Sequence, residues 1–396
     1  MVQLMAFGTN KKDYTLYLLL LFFIMMSGGA MTYGMLHSWQ LFLFPILLYI
    51  YYGEGKVKSV NGTWLLLSLS FIIIAQFLKF DGKLVNVILP VFTIVDAMVL
   101  ACLLNKRFVD LYIRLIVLIA TISLGFWVFD MLGGHSILLA ISNLLPQLGL
   151  DNMKALEINS VNSNTLYFYQ VSLDSNHVFR NSGPFWEPGL FSIYIVIALV
   201  INLFVNRQNI CGYKNLILLF TAVTTFSTTC YVVLGVIACG LVLASSQNKL
   251  VKYIFVILMF FAIPAISDLD FMSDKIMLEF NSDTTYSRFG AIAYHLTLIQ
   301  QSPIIGFGPF IQKITILESS PNGWSELIVY YGIPASLYLF YRIYKFSIRL
   351  CPIDFFNRMI LFLSIIIVVF TQTQMHSPFY FLIYFLSFYP LYEYQK

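Results

Sequence analysis

Apolar stretches alternate with short polar segments along nearly the whole chain of 396 residues. Runs of roughly 17–25 apolar residues recur, which is the length that a helix needs to cross about 30 Å of hydrocarbon. The pattern predicts twelve membrane spans, at about 14–32, 38–52, 63–79, 84–104, 111–132, 189–205, 215–229, 230–246, 253–267, 325–344, 358–375 and 377–392.

Two places interrupt this pattern. Residues 136–148 are apolar but contain Asn143 and Pro146, so we expect an interfacial segment rather than a span. The seventh and eighth spans follow each other at residues 228–231 with almost no connection.

Composition excludes a soluble domain. The chain is 59% hydrophobic and only 11% charged, with a mean hydropathy of +0.81, whereas soluble domains average about 25% charged residues. We therefore expect an all-α, polytopic helical membrane protein that forms a single integral membrane domain over residues 1–396.

The distribution of lysine and arginine predicts the orientation. With the N-terminus inside, 16 of the 23 lysines and arginines lie on the inner side. Because cytoplasmic loops are enriched in these residues, both termini are expected in the cytoplasm. The net charge of +4 follows from this bias and gives no reason to expect a nucleic-acid partner. The outer side keeps Lys79, Lys83, Lys154, Arg180, Lys275, Arg288 and Lys313.

Two large outer loops, at about 133–188 and 268–324, hold most of the remaining polar sequence. Both exceed what is needed to join helices, and such loops are usually functional or disordered. The Ser/Asn-rich run at 159–165 in the first loop fits a flexible linker better than a sugar-contacting surface, although both readings stay open.

The first outer loop ends in a conspicuous charged segment. It places a permanent cation, Arg180, and a carboxylate, Glu187, seven residues apart before an apolar run. Ionisable groups at a membrane edge are costly to keep and indicate function.

The second outer loop contains a predicted amphipathic helix at about 284–301. Arg288 and His295 lie seven residues apart and therefore share one face of this helix. Tyr294 beside His295 is a further candidate for substrate binding. Two outer loops with one candidate arginine each suggest a shared pocket.

Guanidinium groups form fork-like hydrogen bonds with phosphate or carboxylate oxygens. Near lipid headgroups, an anionic lipid is the obvious partner for Arg180 and Arg288. The alternatives are an internal Arg180–Glu187 pair or contact with bulk phospholipid, and physics alone does not choose between them.

Four ordered elements of the sequence resemble the Wzy-type O-antigen and capsular polysaccharide polymerases of the O-antigen ligase/polymerase superfamily. They cover about residues 180–335, and the number of spans extends the likeness to the whole chain. The elements are Arg180-x-x-Gly183-x-x-x-Glu187-Pro188-Gly189, Thr225-Phe226-Ser227-Thr228-Thr229, Arg288 followed by Pro303-x-x-Gly306-x-Gly308, and Asn322 followed by Glu326-x-x-x-x-x-Gly332-Ile333.

The resemblance implies a GT-C-like glycosyltransferase that needs no metal or cofactor and works in the bacterial plasma (inner) membrane. Its substrate would be an oligosaccharide repeat unit linked to undecaprenyl diphosphate on the outer face. The enzyme would transfer the growing glycan onto a new lipid-linked unit, to build O-antigen or capsule. Membrane lipids surround such an enzyme, and a chain-length regulator is a candidate protein partner.

The same resemblance assigns candidate roles. Arg180 and Arg288 would stabilise the departing diphosphate, with Asn322 as a further substrate contact. A base near the anomeric carbon could be Glu187, His295 or His376.

Two of these candidates have structural alternatives. Glu187 equally suits a brace that holds Arg180, and this is the preferred role. His376 lies at an outer helix end, where a structural role is favoured over lining the substrate site.

One departure favours a polymerase over the related lipid A-core ligases. Those ligases usually carry a histidine beside the asparagine that precedes the late span, and residues 319–324 of this chain contain no histidine. A flippase for the same lipid-linked oligosaccharides is the alternative from another class. Asp96 inside the fourth span would suit proton coupling, but a structural role is favoured, and no internal repeat supports a transporter.

Overall fold

The structure is a computed structural model, which describes residues 11–30, 36–53, 61–80, 83–147, 163–172, 180–245, 288–309 and 322–391. Within these ranges helices form nearly all the regular structure, which confirms the all-α class. The predicted span at 253–267 lies outside the described residues.

Thirteen helices and one short hairpin make up the described part of the chain. The hairpin joins β1 (Ser163–Thr165) to β2 (Gln170–Ser172). The helices are α1 (Lys11–Met26), α2 (Leu36–Gly53), α3 (Thr63–Phe80), α4 (Val85–Leu104), α5 (Phe108–Phe129), α6 (His135–Gln147), α7 (Pro188–Val200), α8 (Tyr213–Thr224), α9 (Thr228–Ser245), α10 (Arg288–Gln301), α11 (Gly323–Leu350), α12 (Phe355–Phe370) and α13 (Pro378–Leu386).

Three helical stretches of the described residues are long and apolar enough to cross a bilayer, namely Thr63–Phe80, Val85–Leu144 and Pro188–Val205. Four shorter apolar helices accompany them, at Asp13–Met26, Tyr213–Thr224, Thr228–Leu243 and Phe355–Phe370. The helices at most predicted spans are therefore present, whereas the crossing of a membrane twelve times stays a prediction.

Helix α7 is the centre of the bundle. Every residue from Gly189 to Val200 is buried, as expected of a helix that is apolar on all sides. Pro188 begins the helix, where a missing N–H costs nothing. The helix packs against α5, α8, α9 and α12, so its first turn lies where several helix ends meet.

The chain runs back and forth, so the bundle has two ends, named here by their arginines. The Arg180 end includes the start of α7, the start of α11 and the end of α12. The Arg207 end includes the start of α5, the turn after α7 and the turn between α11 and α12. The predicted tight turn between the seventh and eighth spans is confirmed, because α8 ends at Thr224 and α9 begins at Thr228.

Helix α11 is broken at Gly332, whose backbone has φ +77°. The break is filled by residues 302–309: Phe307 N donates to Val329 O over 2.8 Å, and Ile333 N donates to Pro303 O over 2.8 Å. Pro334 has no N–H to give to the Tyr330 carbonyl one turn earlier.

The side chain of Gln76 in α3 replaces that missing donor. Its Nε2 donates to Tyr330 O over 2.8 Å and also to Ile305 O. Buried backbone carbonyls are nearly always paired, and here a buried side-chain amide supplies the donor.

The first large loop contains regular structure. A π-helical turn at Asp130–Gly134 joins α5 to α6. The Asp130 carboxylate accepts from Tyr169 over 2.7 Å and lies 2.8 Å from His135 Nδ1. The expected linker is wrong for residues 163–165, because they pair with β2. Residues 136–148 were expected at the interface, and the corresponding helix α6 exposes apolar side chains on one face, including Ile137 and Leu144.

Candidate functional site

Arg180 is held against the end of α8. Its Nε donates to Thr225 O over 3.3 Å and its Nη2 donates to Phe226 O over 3.2 Å. Carbonyls at a helix C-terminus lack partners and carry negative partial charge, so they suit a cation. Burial lowers the pKa of Arg180, and Glu187 and Tyr231 oppose this shift. The guanidinium nevertheless stays charged, so the protein fixes a positive charge at this end of the bundle.

Asn181 explains why Arg180 can reach this position. It is fully buried, and its Nδ2 donates to Thr224 Oγ1 in α8 over 3.2 Å and to Ser123 Oγ in α5 over 3.4 Å. Its Oδ1 accepts from Gly183 N over 3.0 Å. Gly183 has φ +54°, a conformation that favours glycine. The motif residues 180–183 thus form a turn that is fixed to two helices.

Glu187 precedes the first turn of α7 in an extended conformation. Arg180 and Glu187 form no direct ion pair, because no nitrogen of Arg180 lies within 4.0 Å of the Glu187 carboxylate. Two backbone carbonyls hold Arg180 instead. The negative charge of Glu187 nevertheless favours the charged form of Arg180, and whether Glu187 acts as a brace or as a base stays a prediction. Glu187 Oε1 accepts from Gln372 Nε2 over 3.4 Å, so its charge is directed towards the end of α12.

Gln372 joins the Arg180 segment to the start of α11. A Cβ at Gly189 would lie 2.7 Å from Gln372 Nε2, and one at Gly323 would lie 2.2 Å from Gln372 O. Both glycines therefore permit an approach that other residues would prevent. Through Gln372, the motif that begins at Arg180 and the motif that begins at Asn322 meet in space.

Asn322, Ser325 and His295 form a polar group at the start of α11. Asn322 caps the helix, its Oδ1 accepting from Ser325 N over 3.1 Å. His295 Nδ1 in α10 lies 2.7 Å from Ser325 Oγ. Burial lowers the pKa of His295 to about 4, so its imidazole is neutral near pH 7. A neutral imidazole can accept a proton, as a general base must.

Glu326, Tyr330 and His376 form a second polar group next to the first. Glu326 and Tyr330 lie one turn apart on α11, and the Tyr330 ring stacks on His376 at 4.8 Å between centroids and an interplanar angle of 7°. Glu326 Oε2 and His376 Nδ1 are both buried without a hydrogen-bond partner. Buried polar atoms are nearly always paired, so two orphans at one helix end indicate a functional site.

The other predicted residues are partly placed. Arg288 begins α10, as the predicted helix requires, but its guanidinium lies outside the described side chains. Tyr294 is half-buried and packs against the small apolar cluster of Leu298, Ile299, Phe307 and Val329. Whether Arg180 and Arg288 share a pocket stays a prediction.

Asp96 lies apart from this site. It is 1% exposed, and neither carboxylate oxygen has a hydrogen-bond partner. Thr93 does not bond to it, because its hydroxyl donates to Leu89 O over 2.9 Å. Within the described ranges, no three His, Cys, Asp or Glu side chains come together as metal ligands do. Metal-independent chemistry stays a prediction.

Sequence reasoning missed Gln372, Tyr330 and Gln76 as parts of the site. Gln76 had a visible signal, since an amide inside an apolar run must find partners. Gln372 had none, because its contact with Glu187 crosses 185 positions of sequence.

No family model matches this chain, and no curated protein sequence matches it significantly.

Proposed function

We propose that this protein is a metal-independent glycosyltransferase that polymerises oligosaccharide repeat units linked to undecaprenyl diphosphate. It would act in the bacterial plasma membrane with about twelve spans, both termini in the cytoplasm and the Arg180 end outside. The product would be O-antigen or capsular polysaccharide.

One observation carries this proposal: segments that resemble the polymerases and are far apart in sequence are in contact at one end of the bundle. Arg180 bonds to Thr225 and Phe226, and residues 303–307 bond to α11 beside Gly332. Gln372 joins the Glu187 segment to the start of α11.

The chemistry needs a fixed cation and a proton acceptor. An acceptor hydroxyl attacks the anomeric carbon of the donor, the bond to the diphosphate breaks, and the hydroxyl proton goes to a base. Arg180 is already positioned and would stabilise the diphosphate without reorganisation. His295 is buried and neutral near pH 7, so its imidazole can accept this proton.

The test is mutation in cells that make the polysaccharide. Arg180→Ala or Arg288→Ala should leave the protein inserted, abolish long-chain polysaccharide and leave single repeat units displayed. Arg114→Ala is the matched control, because Arg114 is half-exposed, pairs with Asp110 and lies towards the Arg207 end. Normal chain-length ladders in both arginine variants would refute the assignment. Loss of all displayed units would indicate a flippase.

An O-antigen ligase is the second candidate, and one observation favours it. No histidine stands beside Asn322 in the sequence, but His295 lies close to it in the fold. His295 contacts the Ser325 hydroxyl, and the N–H of Ser325 donates to the Asn322 side chain. Polymer that accumulates without transfer in a His295→Ala strain would support a ligase. Shortened chains in that strain would support the polymerase.

A further inference from the structure

The second half of α11 carries three cations on one face, towards the Arg207 end of the bundle. Arg342, Lys345 and Arg349 stand three and four residues apart, so they follow one another along the same side of the helix. Arg342 lies roughly 10 Å nearer the middle of the bundle than Arg349, because each helical residue advances about 1.5 Å. The functional proposal above does not use these residues.

Arg342 is buried without an anionic partner. It is 7% exposed, and its Nε and Nη2 are enclosed without a hydrogen-bond partner. The guanidinium lies over the Phe388 ring, 3.3 Å from the centroid, and 5.9 Å from the centroid of Tyr338. A ring contacts the face of a guanidinium and carries no net charge, whereas the N–H groups point outwards in the plane. A buried cation is costly unless an anion compensates it, and the two rings do not supply one.

The other two cations also lack a carboxylate. Lys345 Nζ lies over the Tyr341 ring, 5.3 Å from the centroid, and Arg349 Nε donates to Ser387 O over 3.4 Å. Within the described part of the chain, no carboxylate oxygen lies within 4.0 Å of a nitrogen of Arg342, Lys345 or Arg349. Three positive charges on one helix face are therefore left for an external anion to balance.

The surroundings of this face indicate that the anion belongs to a lipid. Leu337, Tyr338 and Tyr341 on the preceding turns of α11 all expose their side chains. Tyrosine is enriched where a membrane meets water, and an exposed leucine beside it can contact acyl chains. Clusters of lysine and arginine next to a membrane-spanning helix attract anionic headgroups. A soluble anion would use the charges but not the apolar surface beside them.

We propose that this face of α11 binds the phosphate of an anionic phospholipid in the leaflet at the Arg207 end. The phosphate would lie beside Lys345 and Arg349, because ammonium and guanidinium groups are preferred phosphate partners. Arg342 would add a fixed charge beneath it, and the acyl chains would cover Leu337. A zwitterionic lipid fits less well, because its ammonium would meet three cations. The proposal needs a membrane location and does not depend on the polymerase reaction.

The test uses the full-length protein purified in detergent and native mass spectrometry. The protein is mixed in turn with phosphatidylglycerol, phosphatidylethanolamine, phosphatidylcholine and inorganic phosphate. Arg342→Gln removes the buried charge, and the double variant Lys345→Gln with Arg349→Gln removes the other two. The control is Arg107→Gln with Arg114→Gln, which also removes two charges, but from cations that already pair with carboxylates.

The wild type and the control should retain phosphatidylglycerol over the two zwitterionic lipids by about tenfold or more, the scale of a charge-assisted hydrogen bond. Both site variants should lose this preference, while circular dichroism and melting temperature show that they are folded. If Arg342→Gln does not fold, the double variant alone decides.

Three results would overturn the proposal: equal retention of all three lipids by the wild type, the wild-type preference in the folded double variant, or an equal loss of preference in the control. Binding of inorganic phosphate without any lipid preference would also overturn it.

Discussion

Arg180 shows how a charged side chain can be fixed at the edge of an apolar bundle. Two carbonyls beyond the last turn of α8 accept its hydrogen bonds, and the nearby charge of Glu187 favours its charged form without a direct ion pair. Glu187 is thereby left to contact Gln372. Because backbone carbonyls and not a carboxylate accept its hydrogen bonds, Arg180 retains positive charge that a ligand could use.

The geometry predicts that Arg180→Lys is not a conservative change. A lysine cannot reproduce contacts made by both Nε and Nη2, so the variant should lose about 1–3 kcal/mol of unfolding free energy. Thermal unfolding in detergent measures this loss. Arg114→Lys is the control and should change stability by less than about 0.5 kcal/mol, because its pair with Asp110 is exposed. Equal melting temperatures for wild type and Arg180→Lys would contradict this reading.

His295 predicts a pH dependence. Its pKa is about 4 in the folded protein and about 6.5 in an unfolded chain, so the unfolded state takes up the proton first. The free energy of unfolding should therefore fall as the pH drops from about 7 towards 4, by up to roughly 3 kcal/mol in total. The melting temperature, measured at several pH values, should decrease less steeply with falling pH for His295→Gln than for the wild type. The same pH dependence of the melting temperature in both proteins would show that His295 is not buried as described.

At the scale of elements, the broken helix α11 and residues 302–309 form one unit. The regular hydrogen bonds of the helix are interrupted at the Val329 carbonyl and the Ile333 N–H. Phe307 N and Pro303 O of the loop bond to these two groups instead. Gln76 in α3 adds a second helix to this unit by donating to the Tyr330 carbonyl. The break separates the polar start of α11, which carries Asn322 and Glu326, from its long second half.

Two glycines should be indispensable for this unit. A Cβ at Gly332 would lie 2.2 Å from Ile304 O, and one at Gly306 would lie 2.5 Å from Tyr330 O, both at positive φ. Gly332→Ala and Gly306→Ala should each cost at least about 1–3 kcal/mol, seen as a lower melting temperature. The matched control is Gly125→Ala in α5, where a Cβ would meet nothing within 4 Å. That change should be neutral or stabilising. A stable Gly332→Ala variant would refute the packing of the loop into α11.

Most helices could be predicted from the sequence, because apolar length alone indicates them, but their ends could not. The predicted span at 325–344 misses the break at Gly332 and stops short of Leu350. Lys345 and Arg349 continue the helix past the predicted span, since the end of a bundle helix tolerates charge. Helix α12 ends at Phe370 rather than 375, where Gln372 turns back to Glu187.

For the whole molecule, the two ends of the bundle differ in chemistry. The Arg180 end collects buried imidazole, carboxyl and amide groups around helix starts. The Arg207 end carries Lys106, Arg107 and Arg358 beside an open polar cavity. That the Arg207 end faces the cytoplasm stays a prediction, which depends on the enrichment of lysine and arginine in cytoplasmic loops.

The site could be predicted only in part. Arg180, Glu187, His295, Asn322 and His376 were recognised from charge, spacing and resemblance. Their mutual contacts depend on how the helices pack, which no local pattern encodes. The carbonyl contacts of Arg180 could not be predicted for this reason, because a pattern of side chains does not show which backbone carbonyls of another helix will lie nearby.

The most direct test of the proposed function is polymerisation by the purified protein. Full-length protein is mixed with undecaprenyl-diphosphate-linked repeat units from the host cell, with no nucleotide sugar and with a metal chelator. The wild type and Arg114→Ala should produce a ladder of longer glycans, and Arg180→Ala should leave single repeat units. A folded wild-type protein that yields no ladder, or a ladder that the chelator abolishes, would contradict the account.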